Sequence, residues 1–173
     1  MLSISKVTDT DLNKLRSLGR KTFLDTFIYS ELNNPADVES YSVTAFTHDK
    51  MLAELINPNS AFYFALWDEK PIGYIKINYA DAQTELKDDT SLELERIYVL
   101  AAHQSKRIGK ELLNFAIDLA QKDKLQYLWL GVWEHNQKAI AFYERNGFET
   151  FGSHDFMLGN DKQTDLLMRR STL

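Results

Sequence analysis

The chain has 173 residues, 44% of them hydrophobic and 26% charged, and it contains no cysteine. That length and apolar content suit one domain, residues 1–173, with a substantial core; the missing cysteine excludes a disulfide framework, Cys-ligated zinc, an iron–sulfur cluster and a cysteine nucleophile. Twenty Lys and Arg against 25 Asp and Glu give a net charge of −5, which disfavours non-specific nucleic-acid binding and mildly favours cationic substrates.

Leu2 and Ile4 alternate with polar residues, which predicts a first short strand closed by Val7. Thr8-Asp9-Thr10-Asp11 supplies helix-capping chemistry. Leu12, Leu15, Leu18, Thr22 and Phe23 recur at helical spacing, so a helix runs to about Phe27. Asn33-Asn34-Pro35 breaks it. A second helical stretch follows in two pieces, Ala36 to about Phe46 and Asp49 to Ile56, before Asn57-Pro58-Asn59. Ala61–Trp67 and Ile72–Tyr79 read as a hairpin turned by Asp68-Glu69-Lys70-Pro71. A polar, acidic loop spans Asp81 to Thr90, and Leu92–Val99 is a fourth strand. A long helix runs from about Lys106 to Lys122 with Ile108, Leu112, Phe115, Ala116 and Leu119 on one face. Tyr127–Val132 is nearly all apolar, as befits a strand covered on both faces. A helix from about Asn136 to Asn146 stops at Gly147, and two last strands are Phe148 to about Ser153 and Thr164 to Arg169.

The N-terminus lacks a charged head followed by an apolar core, and no apolar run approaches the roughly 18 residues that span a bilayer. The expectation is a soluble, cytoplasmic protein with no membrane partner. Its class is α/β (α+β), one mixed domain in the order β α α β β β α β α β β.

Two segments carry chemistry. In the first, Ile97-Tyr98-Val99 leads through Gln104-Ser105-Lys106-Arg107-Ile108-Gly109-Lys110 into a helix. A helix start exposes unpaired N–H groups and the positive end of the macrodipole, so it can receive phosphate oxygens, with Lys106, Arg107 and Lys110 adding charge. The alternative is an ordinary helix start with solvated basic residues. The segment is neither a Walker loop nor a Rossmann fingerprint, since Gly109-Lys110 precedes Glu111. In the second, Asn136-x-x-Ala139-x-x-Phe142-Tyr143-x-x-x-Gly147-Phe148, Asn136 is a good N-cap and Tyr143 is either a packed aromatic or an acid. His48, His103, His135 and His154 are scattered without metal-ligand spacing, so no metal is expected.

Together, in this order and spacing, the two segments resemble the GCN5-related N-acetyltransferase (GNAT) superfamily over nearly the whole chain. The family signature Gln/Arg-x-x-Gly-x-Gly/Ala reads here Gln104-Ser105-Lys106-Arg107-Ile108-Gly109, with Arg107 in place of the first glycine. The Asn136-to-Phe148 pattern matches at every position named. Asp81-Ala82-Gln83, Leu92–Tyr98, Trp129–Glu134 and Gln163-Thr164-Asp165-Leu166 further resemble the bacterial PaiA-type spermidine/spermine N-acetyltransferases.

The resemblance implies a GNAT fold, a mixed, mostly antiparallel sheet of about seven strands with about four helices, and acetyl-CoA as co-substrate. Ile97, Tyr98 and Val99 would pair with the pantetheine arm, and a backbone N–H there would face the acetyl carbonyl. Gln104, Ser105, Lys106, Arg107, Ile108, Gly109 and Lys110 would hold the pyrophosphate, and Asn136 the cofactor arm. Tyr143 would line the cofactor site and protonate the leaving thiolate, its phenol at about 10 against roughly 8–9 for a thiol. The acceptor implied is a primary amine of a polyamine, attacking directly in a ternary complex. Glu93 and Glu95, two apart on one strand, share a face unless a bulge intervenes; they would bind the cation or relay its proton, with Glu134 a further substrate-binding candidate. Each of these carboxylates can equally be a surface group or a partner of Arg96. Alternative acceptors are a protein N-terminus, an amino sugar, an antibiotic or an amino acid, and a non-catalytic acetyl-CoA sensor is the alternative outside enzymology. Pairing of the C-terminal strands into a homodimer is compatible with the resemblance.

Overall fold

Residues 1–173 are all described by the computed structural model. Alternation places Leu2 and Ile4 on the inner side of β1 (Leu2–Lys6). Asp11 accepts a hydrogen bond from the Thr8 N–H at 3.3 Å, starting α1 (Leu12–Phe27). The second helical stretch separates into α2 (Pro35–Ala45) and α3 (His48–Ile56). Each piece has its own cap: Asn34 accepts from the Ala36 N–H at 2.9 Å and Thr47 from the Lys50 N–H at 3.4 Å. A capping side chain satisfies orphan donors that a continuous helix would not have. With the two pieces counted separately the helices number five, as the segments read from the sequence give.

Strands β2 (Ser60–Trp67) and β3 (Lys70–Tyr79) form the hairpin. Then come β4 (Ser91–Val99), α4 (Ile108–Lys122), β5 (Tyr127–Trp133), α5 (Gln137–Arg145), β6 (Glu149–Leu158) and β7 (Asp161–Ser171). The sheet order is β1-β2-β3-β4-β5-β7-β6, and only the β4–β5 pair is parallel. The mixed, mostly antiparallel sheet is the one expected.

Two boundaries differ from the sequence reading. Helix α4 begins at Ile108, not Lys106, because Ser105 (φ 68°) and Arg107 (φ 61°) are left-handed and cannot belong to a right-handed helix. Strands β6 and β7 run on toward each other as a hairpin turning near Gly159 (φ 63°). Their added residues are mostly polar because β6 is the sheet edge, so alternation of apolar residues is weak there.

Helices α4 and α5 cover one face of the sheet. Ile108, Leu112, Leu113, Ala116 and Ile117 of α4 pack with Ile75, Ile77, Leu94, Leu128 and Leu130 of the strands, and Ile140 and Tyr143 of α5 join them. Helices α1 to α3 cover the other face, where Leu15, Phe23, Val38, Phe46 and Met51 pack on Phe62, Phe64 and Tyr74. Burying a large aliphatic or aromatic side chain is worth about 1.5–3 kcal/mol, so both layers are fixed by their cores. None of the helices is long and apolar enough to cross a membrane.

Candidate active site

Strands β4 and β5 are paired only at Ser91–Tyr127, Leu92–Leu128 and Glu93–Trp129. Beyond Glu93 they part, β4 running on to Val99 and β5 to Trp133. The parting opens the sheet from one face to the other. A cavity of about 890 Å³ occupies it. Arg107, Gly109, Asn136 and Tyr143 line it on the α4–α5 side; Phe23, Tyr41, Glu93 and Asp165 line it on the side of α1 to α3.

The edge of β4 that faces the gap is set by its pairing with β3. Leu100 donates its N–H to the Ile72 carbonyl at 2.8 Å, and Tyr98 lies opposite Tyr74. Alternation along an antiparallel ladder then turns the backbone of Tyr98 toward β3 and the N–H groups of Ile97 and Val99 toward the gap. Of the three residues expected to present backbone there, Tyr98 does not. Gln104 Nε2 donates to the Val99 carbonyl at 3.2 Å, tying the loop after β4 to the same edge.

At the start of α4, the N–H groups from Ser105 to Lys110 donate to no backbone or side-chain acceptor. Left-handed Ser105 and Arg107 within this run give the αL–αR alternation that turns successive N–H groups into an anion-binding concavity, at the positive end of the helix dipole. The loop thus requires positive φ at Arg107, the position where the family pattern has glycine. A non-glycine residue in that region costs roughly 1–2 kcal/mol, and Arg107 bears that cost while keeping the N–H in place. Ser105, Arg107, Ile108, Gly109 and Lys110 all line the cavity. The Lys106 side chain does not; its Nζ sits 5.7 Å from the Trp67 ring centroid, on the outer surface. Lys110 donates to Asn146 Oδ1 across the α4–α5 contact.

Asn136 caps α5, its Oδ1 accepting from the Ala139 N–H at 3.2 Å. That leaves its amide N–H2 free toward the cavity. Tyr143, 7% exposed, packs against Phe142 and Phe148 at ring separations of 5.3 and 5.6 Å. Its hydroxyl bonds no protein group, yet it is not sealed from the cavity. Burial alone pushes the phenol well above its ordinary value, so it stays protonated.

The β4 carboxylates sit around a bulge. Lys76 pairs with Arg96 and Ile77 with Leu94, leaving Glu95 as the additional residue. Leu94 consequently faces α4 while Arg96 faces α3. Asn78 Nδ2 donates to Glu93 at 2.9 Å and to Glu95 at 2.7 Å, so the bulge still lets both acids converge. Glu93 also accepts from the Thr84 N–H and hydroxyl at 2.9 and 2.5 Å. Burial pushes Glu93 upward, against these donors. Glu95 is likewise pushed up by burial, but Arg96 and Lys76 outweigh that and hold it below the usual carboxylate range. Lys76 Nζ lies 2.5 Å from Glu95 and 3.2 Å from Glu54; Arg96 lies 3.0 Å from Glu54 and 3.3 Å from Glu95. Glu95 is therefore a fixed anion within a two-acid, two-base cluster.

Glu134 lies outside the cavity beside His135, at 3.5 Å. The acids of the Asp81–Asp89 loop do not line the cavity either: Asp81 accepts from Asn59, Asp88 from Thr90 and Tyr127, and Glu85 pairs with His154. Sequence reasoning gave no role to Asp165, whose carboxylate does line the cavity. Burial pushes it up to about 6, His154 opposing. The β6–β7 hairpin that carries it there was the least legible part of the chain.

Residues 26–148 match the Acetyltransferase (GNAT) family. The chain is 38% identical over 170 residues to an uncharacterized N-acetyltransferase in the pepI 3′ region of Lactobacillus delbrueckii subsp. lactis, covering 98% of this chain and 97% of that one. It is 29% identical over 166 residues to the spermidine N(1)-acetyltransferase of Thermoplasma acidophilum, covering 91% and 95%. Among solved structures, the PaiA N-acetyltransferase of Thermoplasma acidophilum in complex with coenzyme A superposes with a TM-score of 0.79 over 99% of both chains, at 24% identity.

Proposed function

Because this chain belongs to the GNAT family of acetyltransferases, we propose that it transfers the acetyl group of acetyl-CoA directly to a primary amine of spermidine or spermine. One observation carries the transfer: a single cavity passes through the split between β4 and β5, with an anion-receiving turn on one face of the sheet and carboxylates on the other. Two substrates can enter from opposite faces and meet in the gap. The polyamine acceptor is supported by the likeness to a spermidine N(1)-acetyltransferase over most of both chains.

In this reading the free N–H groups of Ser105 to Lys110 bind the pyrophosphate of acetyl-CoA. Ile97 and Val99 pair their gap-facing backbone with the pantetheine arm, and one of their N–H groups stabilises the oxyanion that develops on the acetyl carbonyl. The free amide of Asn136 holds the same arm from α5. Tyr143 donates its phenolic proton toward the sulfur as the C–S bond breaks. Burial keeps the phenol protonated, so its hydrogen bond to sulfur strengthens as negative charge develops there, and the same water-poor pocket makes the departing thiolate more basic, which lets it take up the proton. Glu93, which no cation of the protein pairs, supplies negative charge at the acceptor end and favours a cationic amine, whereas the charge of Glu95 is balanced by Lys76 and Arg96.

The test is a panel of amines at fixed acetyl-CoA: spermidine, spermine, diamines, aliphatic monoamines, amino sugars and amino acids. Spermidine and spermine are expected to exceed the monoamines in kcat/KM by about tenfold or more, the worth of one additional ammonium–carboxylate interaction. Equal values across the panel would remove the polyamine assignment.

A further inference from the structure

Four carboxylates line the cavity: Asp25, Glu93, Glu95 and Asp165. Asp25 is paired with Lys21 at 3.1 Å. Glu93 accepts from Thr84 and Asn78, and Glu95 from Asn78, Lys76 and Arg96. Asp165 accepts from no protein group, neither hydrogen-bond donor nor cation, although it is only partly exposed. A carboxylate that no protein donor satisfies keeps its acceptor capacity for a ligand, each hydrogen bond to a charged group being worth about 1.5–3 kcal/mol, and this one lines the cavity through which an acceptor must come.

The surroundings of Asp165 suit an ammonium group. On β5 it lies opposite Trp133, and Gly131 leaves the space beside it clear: a Cβ at 131 would stand 3.4 Å from Asp165 Oδ2. Trp133 and Phe27, with ring centroids 6.0 Å apart, offer aromatic surface to a cation and its alkyl chain. On β6 it lies opposite His154, on the same face of the sheet. His154 Nδ1 is sealed without a partner, and its Nε2 is 3.4 Å from Glu85 Oε1 at the surface. From α2, Tyr41 faces Asp165 closely enough for the carboxylate to raise its phenol further. No cation of the protein pairs with Asp165 from any of these elements.

We propose that Asp165 receives the acceptor ammonium and takes its proton before attack, releasing that proton to solvent through the open cavity. The proposal rests on amine acetylation as the reaction, not on the polyamine assignment. The ammonium gives one proton to Asp165 and becomes a free amine. Its lone pair forms the C–N bond to the acetyl carbon, and the C–S bond breaks. The nitrogen then loses a second proton, which balances the one the sulfur takes up to become a thiol. The net products are the amide, the CoA thiol and one proton released through Asp165.

Because burial raises the folded-state value of Asp165, its ionised form is disfavoured by folding. Stability from this position is fullest in acid and is lost as pH rises from the ordinary carboxylate range through about 6. Asp165→Asn therefore folds at neutral pH at least as well as the wild type, and CoA binding by calorimetry checks that its cofactor site is intact.

The experiment is the pH profile of kcat/KM with the best amine of the panel, for wild type, Asp165→Asn and His154→Gln. Wild type is expected to rise to a plateau through a limb near pH 6. Asp165→Asn is expected to lose about 100-fold at pH 7. It also loses that limb, and its rate climbs about tenfold per pH unit with the fraction of free amine. His154→Gln removes the imidazole that opposes the effect of burial on Asp165, so its limb moves to higher pH. An Asp165→Asn enzyme that keeps the wild-type limb, whether at full rate or uniformly slowed, overturns the proposal. A wild-type enzyme that acetylates no amine overturns the reaction itself, and this assignment with it.

Discussion

Tyr143→Phe is expected to lower kcat by at least about 100-fold, the smaller end of what a positioned general acid contributes, while acetyl-CoA affinity changes by less than about twofold. The separation follows from where the hydroxyl sits. The ring is held by Phe142 and Phe148 and lies within the α4–α5 core, so Phe preserves the packing. The hydroxyl bonds no protein group, so its removal breaks no network and strands no partner. In the proposed transfer, what remains for it is the reacting sulfur, met only in the transition state. Pre-steady-state measurement of CoA release, alongside CoA affinity by calorimetry, reads the two effects separately. Equal turnover in the variant would remove Tyr143 as the proton donor.

The largest stability effect is expected from Arg96→Met. Arg96 and Lys76 share Glu54 and Glu95 in a cluster whose side chains are only 7–19% exposed. Removing Arg96 leaves two acids to one cation and a buried charge uncompensated, a change that costs about 3–5 kcal/mol. For a chain of this length, about 3 kcal/mol lowers Tm by roughly 6–12 °C. Methionine retains much of the arginine volume against Phe46, whose ring centroid is 5.8 Å from the guanidinium, so lost packing contributes little. The sign with pH is fixed by Glu95. Its depressed folded value makes the pair stabilising above the ordinary carboxylate range and lost as pH falls through that depressed value. The deficit of the variant therefore narrows in acid. Urea titrations at pH 4 and pH 7 read both features. A loss under about 1 kcal/mol at pH 7 would mean these pairs are screened as surface bridges are.

The sequence is legible where one periodicity acts alone. The apolar face of α4 and the doubly covered β5 are plain because one side chain pattern maps onto one core. The β6–β7 hairpin is less so, since along most of edge strand β6 the residues alternate only between exposed and half-buried. The candidate site divides the same way. Arg107, Asn136 and Tyr143 belong to local motifs, and spacing along the chain finds them. Asp165 reaches the gap only through the order β5-β7-β6, which juxtaposes residues far apart in sequence. Local spacing carries no signal of that. The bulge at Glu95 is equally silent in sequence, yet it decides that Arg96 faces α3 and ties Glu95 to two cations.

The absence of cysteine acquires a mechanistic meaning from the geometry. With no thiol to carry the acetyl group and with one cavity open to both faces of the sheet, the proposed transfer is direct. Initial rates of CoA release, measured with acetyl-CoA and spermidine both varied, test this most directly. Amine-dependent release is expected, with double-reciprocal lines that intersect and N-acetylated spermidine as the co-product. Parallel lines, or acetyl-CoA binding without amine-dependent release, would contradict it.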